Sequence, residues 1–229
     1  MQNLWLAQLP SADRARVERV TEVRPFSKGD ILYEAGEAPE SVWFPTQGVI
    51  GLATVLDADR SVDSAVIGPE GLVGVTCGPM NARAVSRAVA RSEGAALCVA
   101  ADRFAEMLEA SAPLREALSR FTEGLFAQVQ QTAACNAQHA LEARFARRLL
   151  ELQDRLDEDR LEITQFDVAA MLGVRRATVS EVSALVEGRG LIRRGRGWMR
   201  ITDRKGLEGL TCSCYGALRR VGEDLGVAA

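Results

Sequence analysis

Between Gly173 and Glu181 the chain reads Gly-Val-Arg-Arg-Ala-Thr-Val-Ser-Glu. Two guanidiniums, two hydroxyls and a carboxylate thus stand at the start of an amphipathic run whose other face carries Val179, Val182 and Leu185. A guanidinium is a planar fork of donors and can bond the O6 and N7 of a guanine together, which is worth about 1–3 kcal/mol of discrimination between bases. Arg176 is the first candidate for that contact and Arg175 the second. Thr178 and Ser180 can touch bases or phosphate. Glu181 either accepts from a cytosine amino group or orients a neighbouring arginine. Thr164, Gln165, Arg194 and Arg196 flank this run and suit phosphate contacts, which position a protein on a duplex without reading its sequence.

A second set of reactive side chains lies at Cys212-Ser213-Cys214, with Cys135 and His139 far upstream. These could meet as a zinc site or a redox relay, but tetrahedral zinc needs four ligands converging in space, and spacing alone cannot show that. The simpler reading, adopted here, assigns no metal and lets a C-terminal helix over 207–221 pack its cysteines on the domain before it. His139 then serves as a hinge or a helix cap. Five cysteines, an odd and scattered number, do not form a secreted disulfide framework.

The elements that must hold the arginines are legible around them. Thr164 suits a helix N-cap, and Phe166, Ala169, Ala170 and Leu172 form the buried side of a short helix. Gly173 allows a sharp turn, Val174 staples it, and the second helix follows. Ile192, then Arg193-Arg194-Gly195-Arg196-Gly197, then Trp198–Ile201 read as two strands about a glycine-rich wing. The sum is a winged helix-turn-helix. Residues 139–156 precede it as an amphipathic helix with Leu141, Phe145, Leu149, Leu152 and Leu156 inward.

Further upstream, Ser111 and Pro113 open a long helix running to about residue 137. Leu114, Leu118, Phe121, Leu125, Gln128, Thr132 and Cys135 repeat at 4-3 spacing, the pattern of a coiled-coil seam. Leu114, Leu118, Phe121, Leu125 and Thr132 are therefore expected at a homodimer interface. A second stripe of Ala117, Phe126, Val129 and Ala133 is expected against the chain's own β domain. From Pro25 to Val99 helical periodicity is absent. Short apolar runs at Ile31–Tyr33, Val42–Phe44, Val49–Leu56, Val62–Ile67 and Ala95–Val99 alternate with turns, among them Asp57-Ala58-Asp59 and Gly78-Pro79. That rhythm predicts a small antiparallel barrel or sandwich. Residues 3–20 read as one opening helix, with Ser11 as a cap.

The expected fold class is α+β, with a β-roll over residues 1–110, a dimerisation helix over 111–138 and the winged domain over 139–229. Hydrophobic residues make up 47% of the 229, enough for a real core, and the 26% that are charged are ordinary for a globular chain. The net charge of −3 argues against nucleic-acid binding only until it is divided. Residues 164–205 hold nine Arg or Lys against four acids, a balance of +5 that leaves −8 for the rest. No signal peptide or membrane-length apolar run is present, so the expected place is the cytoplasm. An enzyme finds no support, because phosphate-loop, triad and regularly spaced metal motifs are missing.

With this layout assembled, the chain resembles the Crp/Fnr family of bacterial regulators, the relatives of the cyclic-AMP receptor protein. The resemblance rests on Lys28-Gly29-Asp30-Ile31-Leu32-Tyr33, Ala35-Gly36-Glu37 and Val42-Trp43-Phe44. It rests also on Ile67 through Gly74 (Ile-Gly-Pro-Glu-Gly-Leu-Val-Gly) and on Gly173 through Ser180. It implies a cyclic-nucleotide-binding-like β-roll (a jelly roll), a dimerisation helix and a winged helix-turn-helix reading a palindromic double-stranded DNA operator, with RNA polymerase as a further partner. The implied effector pocket includes Gly71, Gly74, Val75, Arg83 and Arg87. Here the chain departs from nucleotide-binding members. Val75 stands where they carry a ribose-binding glutamate, and Ala84-Val85 where an arginine and a hydroxyl grip the cyclic phosphate. A buried phosphate needs donors and positive charge, so cyclic AMP is not the expected effector and no cofactor is assigned. In the recognition helix Arg176 is retained, while Ala177 and Glu181 replace a glutamate and an arginine, so the operator should differ. No cysteine precedes Cys77 to hold an iron–sulfur cluster, and the only histidine lies beyond the barrel, away from any haem site. The alternative is a cyclic-nucleotide-like or redox sensor acting through protein contacts. The exposed arginines separate the two, because such a sensor has no use for them.

Overall fold

The computed structural model describes residues 2–57, 60–75 and 82–225. Cys77 and the expected turns at Ala58-Asp59 and Gly78-Pro79 lie outside them. The chain opens with α1 (Leu4–Ala7) and α2 (Ser11–Glu18). The single opening helix expected from sequence is divided here, because Pro10 has no N–H to continue it. Pro10, not Ser11, occupies the N-cap of α2. Asn3 anchors α1: its side chain accepts from the Leu6 amide at 2.9 Å and donates to the Pro45 and Gly71 carbonyls at 2.8 Å each.

Seven strands follow: β1 (Glu22–Phe26), β2 (Ile31–Tyr33), β3 (Ser41–Gln47), β4 (Ile50–Asp57), β5 (Arg60–Ile67), β6 (Arg87–Ala90) and β7 (Gly94–Ala100). They form two antiparallel sheets, ordered β1-β7-β3 and β2-β6-β4-β5. Alternation along each strand puts Phe44, Ile50, Leu52, Ala65, Ile67 and Val99 between the sheets. Trp5 closes one end, stacked on Phe44 with ring centroids 5.8 Å apart.

Two helices lead out of the roll, α3 (Ala101–Ala110) and α4 (Ala112–Gln138). The Ser111 hydroxyl caps α4 by accepting from the Leu114 amide. The face α4 turns inward corrects the expected interface. Leu114 and Phe121 are buried in the roll's own core, Thr132 is buried within the chain, and Leu118 and Leu125 pack half-buried against that core. The stripe left outward passes through Ser119, Glu123, Phe126, Gln130, Ala133 and Ala137, with Phe126 61% exposed. Both stripes satisfy helical spacing, and period alone does not say which partner each meets.

The remaining elements are α5 (Leu141–Leu156), β8 (Arg160–Leu161), α6 (Gln165–Leu172), α7 (Arg176–Gly188), β9 (Ile192–Gly195), β10 (Trp198–Ile201), α8 (Arg204–Leu210) and α9 (Cys214–Leu225). Asp157 ends α5 in the left-handed region. The three short strands form one sheet, β8-β10-β9. One C-terminal helix was expected and two are found; α9 runs back along α4 and touches α5. No helix of the described residues is long and apolar enough to cross a membrane.

Helix α5 joins the two halves. Its apolar face, with Phe145, Leu149, Leu150 and Leu152, shares a core with Val49 and Val66 of the roll. Four of its polar residues, Arg147, Arg148, Glu151 and Gln153, are buried too. Glu151 accepts from Arg147 at 2.8 Å and from Arg148 at 3.0 Å, and Arg155 reaches Glu70 of the roll at 2.7 Å. Burial alone would raise the Glu151 carboxyl. Arg148, Arg147 and Arg155 outweigh it and hold the group below the usual carboxylate range. The folded-state value is therefore depressed. The carboxylate's contribution to stability is present above its unfolded pKa of about 4.3 and fades as pH falls through the lower folded value.

Glu151→Ala leaves two guanidiniums buried without a counter-charge and is expected to cost about 3–5 kcal/mol at neutral pH. Urea denaturation of the variant measures it. A loss within the range of ordinary surface changes, about 0.5 kcal/mol, would show that the guanidiniums find other partners.

Candidate nucleic-acid interface

The helix-turn-helix is set by two local devices. At its start Thr164 and Asp167 form a capping box: the Thr164 hydroxyl accepts from the Asp167 amide at 3.1 Å, and the Asp167 carboxylate accepts from the Thr164 amide at 2.6 Å. Lys28 of the roll adds an ion pair to Asp167 at 2.5 Å and donates to the Glu162 carbonyl at 3.0 Å. Burial would raise the Asp167 carboxyl, but the bonds from Lys28 and Thr164 outweigh it and hold it down. At the turn, Gly173 takes φ 65°, ψ 38°, the left-handed conformation that closes α6 and redirects the chain into α7. Arg144 donates to the last carbonyl of α6, Leu172 O, at 2.7 Å.

Behind the turn, Val168, Ala169, Met171 and Leu172 of α6 meet Val179, Val182 and Val186 of α7 in the core. Two residues assigned inward by pattern are outside: Phe166 is 70% exposed and Leu185 is 59% exposed. Val186 takes the inward place expected of Leu185.

The functional side chains sort by whether they are free. Arg175 is the N-cap of α7, and it, Arg176, Ala177 and Glu181 are exposed, with Thr178 and Ser180 half-buried behind them. The first turn of α7 carries no acidic residue, so the positive end of this 13-residue helix faces outward beside the two arginines. Among the described residues, Arg175, Arg176, Arg193, Arg196 and Arg200 make no side-chain hydrogen bond or ion pair, and all five are exposed. A groove runs between α6, the start of α7 and the wing, lined by Thr164, Gln165, Arg176, Arg196 and Trp198. Glu181 is exposed and has no ion pair among the described residues.

Arg194 differs from its neighbours, and its expected phosphate role is corrected. Its guanidinium bonds Glu187 at 2.8 Å, the Ser183 hydroxyl at 2.7 Å and the Ser180 carbonyl at 3.2 Å. These bonds fasten the wing to α7 and leave it no free fork. The Glu187 carboxyl is held low by the hydrogen bonds from Arg194. Thr164 is likewise spent on its capping box. Arg193 and Arg200, not singled out from sequence, take the outward positions instead; alternation along β9 and β10 was the signal that could have found them.

In the roll, the expected effector-pocket residues are engaged in other contacts. A Cβ on Gly71 would lie 2.4 Å from the Phe121 ring, and one on Gly74, at φ 95°, would lie 2.2 Å from the Ser41 carbonyl. These glycines serve close packing. Val75 packs half-buried against the core. Arg83 donates to the Gly36 carbonyl at 2.7 Å, and Arg87 is paired with Glu34 at 2.7 Å.

Arg194→Ala is expected to cost about 1–3 kcal/mol of stability through its lost charge-assisted bonds. Arg196→Ala should stay within about 0.5 kcal/mol. Thermal unfolding of both variants checks the division; equal losses would put Arg196 in the scaffold as well.

Comparison with known proteins gives two domain matches in the order of the fold. A cyclic nucleotide-binding domain matches residues 23–111, and a Crp-like helix-turn-helix domain matches residues 143–210. The chain is similar to the HTH-type transcriptional regulator Cmr of Mycobacterium tuberculosis, 28% identical over 206 residues, which cover 88% of this chain and 81% of that protein. Solved structures share the fold. FixK2 from Bradyrhizobium japonicum aligns with TM-score 0.73 at 20% identity, covering 84% of this chain and 98% of that one. The c-di-GMP-responsive global regulator CLP of Xanthomonas campestris aligns with TM-score 0.69 at 15% identity, covering 84% and 99%.

Proposed function

Since the chain belongs to the Crp/Fnr family of transcription regulators, we propose that it acts as a homodimer whose paired α7 helices enter successive major grooves of a palindromic operator. The observation that carries this reading is the set of five unpaired, exposed arginines at the start of α7 and on the wing, against an otherwise acidic chain. Arg176 and Arg175 read guanines, Glu181 and the hydroxyls of Thr178 and Ser180 refine the choice, and Gln165, Arg193, Arg196 and Arg200 meet phosphates. Two copies of α7 related by a dyad would sit about 34 Å apart, one helical turn of B-DNA.

The dimer seam we assign is the outward stripe of α4. Phe126, Ala133 and Ala137 lie along it, and small residues after one large aromatic let two helices approach closely. The regulator works without cyclic AMP. Arg83 and Arg87 are already committed to the Gly36 carbonyl and to Glu34, and Val75 offers the ribose no acceptor.

Arg176→Ala should weaken specific binding about 10-fold or more, the value of one guanine contact, and nonspecific binding far less. Gel shifts over a salt series on operator and random duplexes measure both. Equal losses on the two would demote Arg176 to a phosphate contact, and an affinity insensitive to salt would remove the DNA-binding reading altogether.

Phe126→Glu is expected to convert the dimer to monomers in sedimentation velocity. A variant that stays dimeric would place the seam elsewhere.

A further inference from the structure

Four side chains set aside in the sequence for want of spatial proof are adjacent in the fold. The sulfurs of Cys135, Cys212 and Cys214 and a ring nitrogen of His139 all lie within 4.8 Å of one another. Cys135 and His139 come from the last turn and C-cap of α4, while Cys212 and Cys214 come from the α8–α9 junction and the first residue of α9. The Cys135 and Cys212 sulfurs are 3.5 Å apart, and Cys214 Sγ is 3.4 Å from His139 Nδ1. A tetrahedral zinc ion, with bonds of about 2.3 Å to sulfur and 2.0 Å to nitrogen, holds its ligand atoms roughly 3.5–3.8 Å apart. The cluster's two close pairs are at about that separation, the remaining pairs lie within 4.8 Å, and the donor set is one that zinc takes.

The surroundings fit an anionic metal centre independently of the ligands. Arg147 is fully buried, and it lies near enough to Cys135, Cys212 and Cys214 to feel the charge of each. One of its donors reaches Glu151, but among the described residues its Nε and Nη2 atoms have no partner, and neither does Nε of Arg144 beside Cys135 and Cys212. Orphaned, buried guanidinium donors are costly unless something negative accepts from them. Glu151 is shared between Arg147 and Arg148, so this region carries more positive charge than its carboxylates cancel. Gln131 Nε2 also donates to Cys214 Sγ at 2.9 Å, as outer-shell groups do for metal thiolates.

We propose that Cys135, His139, Cys212 and Cys214 bind one zinc ion, a clasp between the end of the dimerisation helix and the C-terminal helix of the DNA-binding domain. On binding, the three thiols give up their protons to solvent, and three thiolates, one neutral imidazole and one Zn2+ form a centre of net charge minus one. Arg147 and Arg144 balance that charge and bond the thiolate sulfurs. The ion would fix how the start of α9 lies against the end of α4, because each side supplies two of its ligands.

The test is elemental analysis and native mass spectrometry of the full chain, expressed in zinc-supplemented medium and purified without metal-affinity steps. One zinc per chain is expected. Cys214→Ala should lose it, and Gln131→Leu should hold it about 10-fold more weakly. Exchange into Co2+ should give wild-type protein the thiolate-to-cobalt absorption and visible bands of a tetrahedral site, a readout that does not depend on any variant folding. Metal-free protein with titratable thiols that takes up no Co2+ overturns the proposal, as does a Cys135–Cys212 disulfide in freshly purified protein. None of these readouts uses DNA, so a failure of the DNA-binding reading leaves them intact.

Discussion

Helix α5 carries Arg147, Arg148 and Arg155 into the interior, and they can stay there because Glu151 and Glu70 meet them. A guanidinium taken from water without such a partner would be prohibitive. The arrangement therefore demands that the roll, which supplies Glu70, and the DNA-binding half, which supplies α5, be assembled together. Around this charged centre the apolar contacts are continuous, since Val49 and Val66 of the roll pack among Phe145, Leu149 and Leu150. The reader's position relative to the roll is thus held by burial and by charge at once.

Much of the architecture was legible because it rests on local rules. Turn residues between short apolar runs located most of the strands, Ser111 and Thr164 announced helix starts, and Gly173 marked the left-handed turn between α6 and α7. The reading was weaker wherever a choice depended on what lies across from a helix. Leu114 and Phe121 face the chain's own core and Phe126 faces out, against the assignment drawn from 4-3 spacing, while Ala117 and Val129 pack against the roll as that assignment expected. Likewise Arg194 and Arg196 are two positions apart in an arginine-rich wing, and only the presence of Glu187 and Ser183 opposite the first distinguishes anchor from free hand. That the thiols and imidazole singled out in the sequence converge in space could not be read from it for the same reason. The two pairs of ligands are separated by more than seventy residues, and α9 has to fold back along α4 before they meet.

The roll keeps its family outline while its polar groups are turned to other tasks. Asn3 satisfies two carbonyls of the roll, Arg87 neutralises Glu34, and Gly71 and Gly74 are sites of close approach where a side chain would collide. The segment bearing Glu70 touches both the roll's core and α5.

The turn of the helix-turn-helix has its own neighbour in the roll. A Cβ placed on Gly173 would come within 2.7 Å of the Val62 side chain on β5. Glycine is therefore demanded twice at that position, once by its backbone torsion and once by the surface opposite. The two halves are in this sense a fitted pair and not interchangeable modules. A chimera joining this reader to a relative's roll would inherit a mismatch at the seam unless the residue in place of Val62 were no larger.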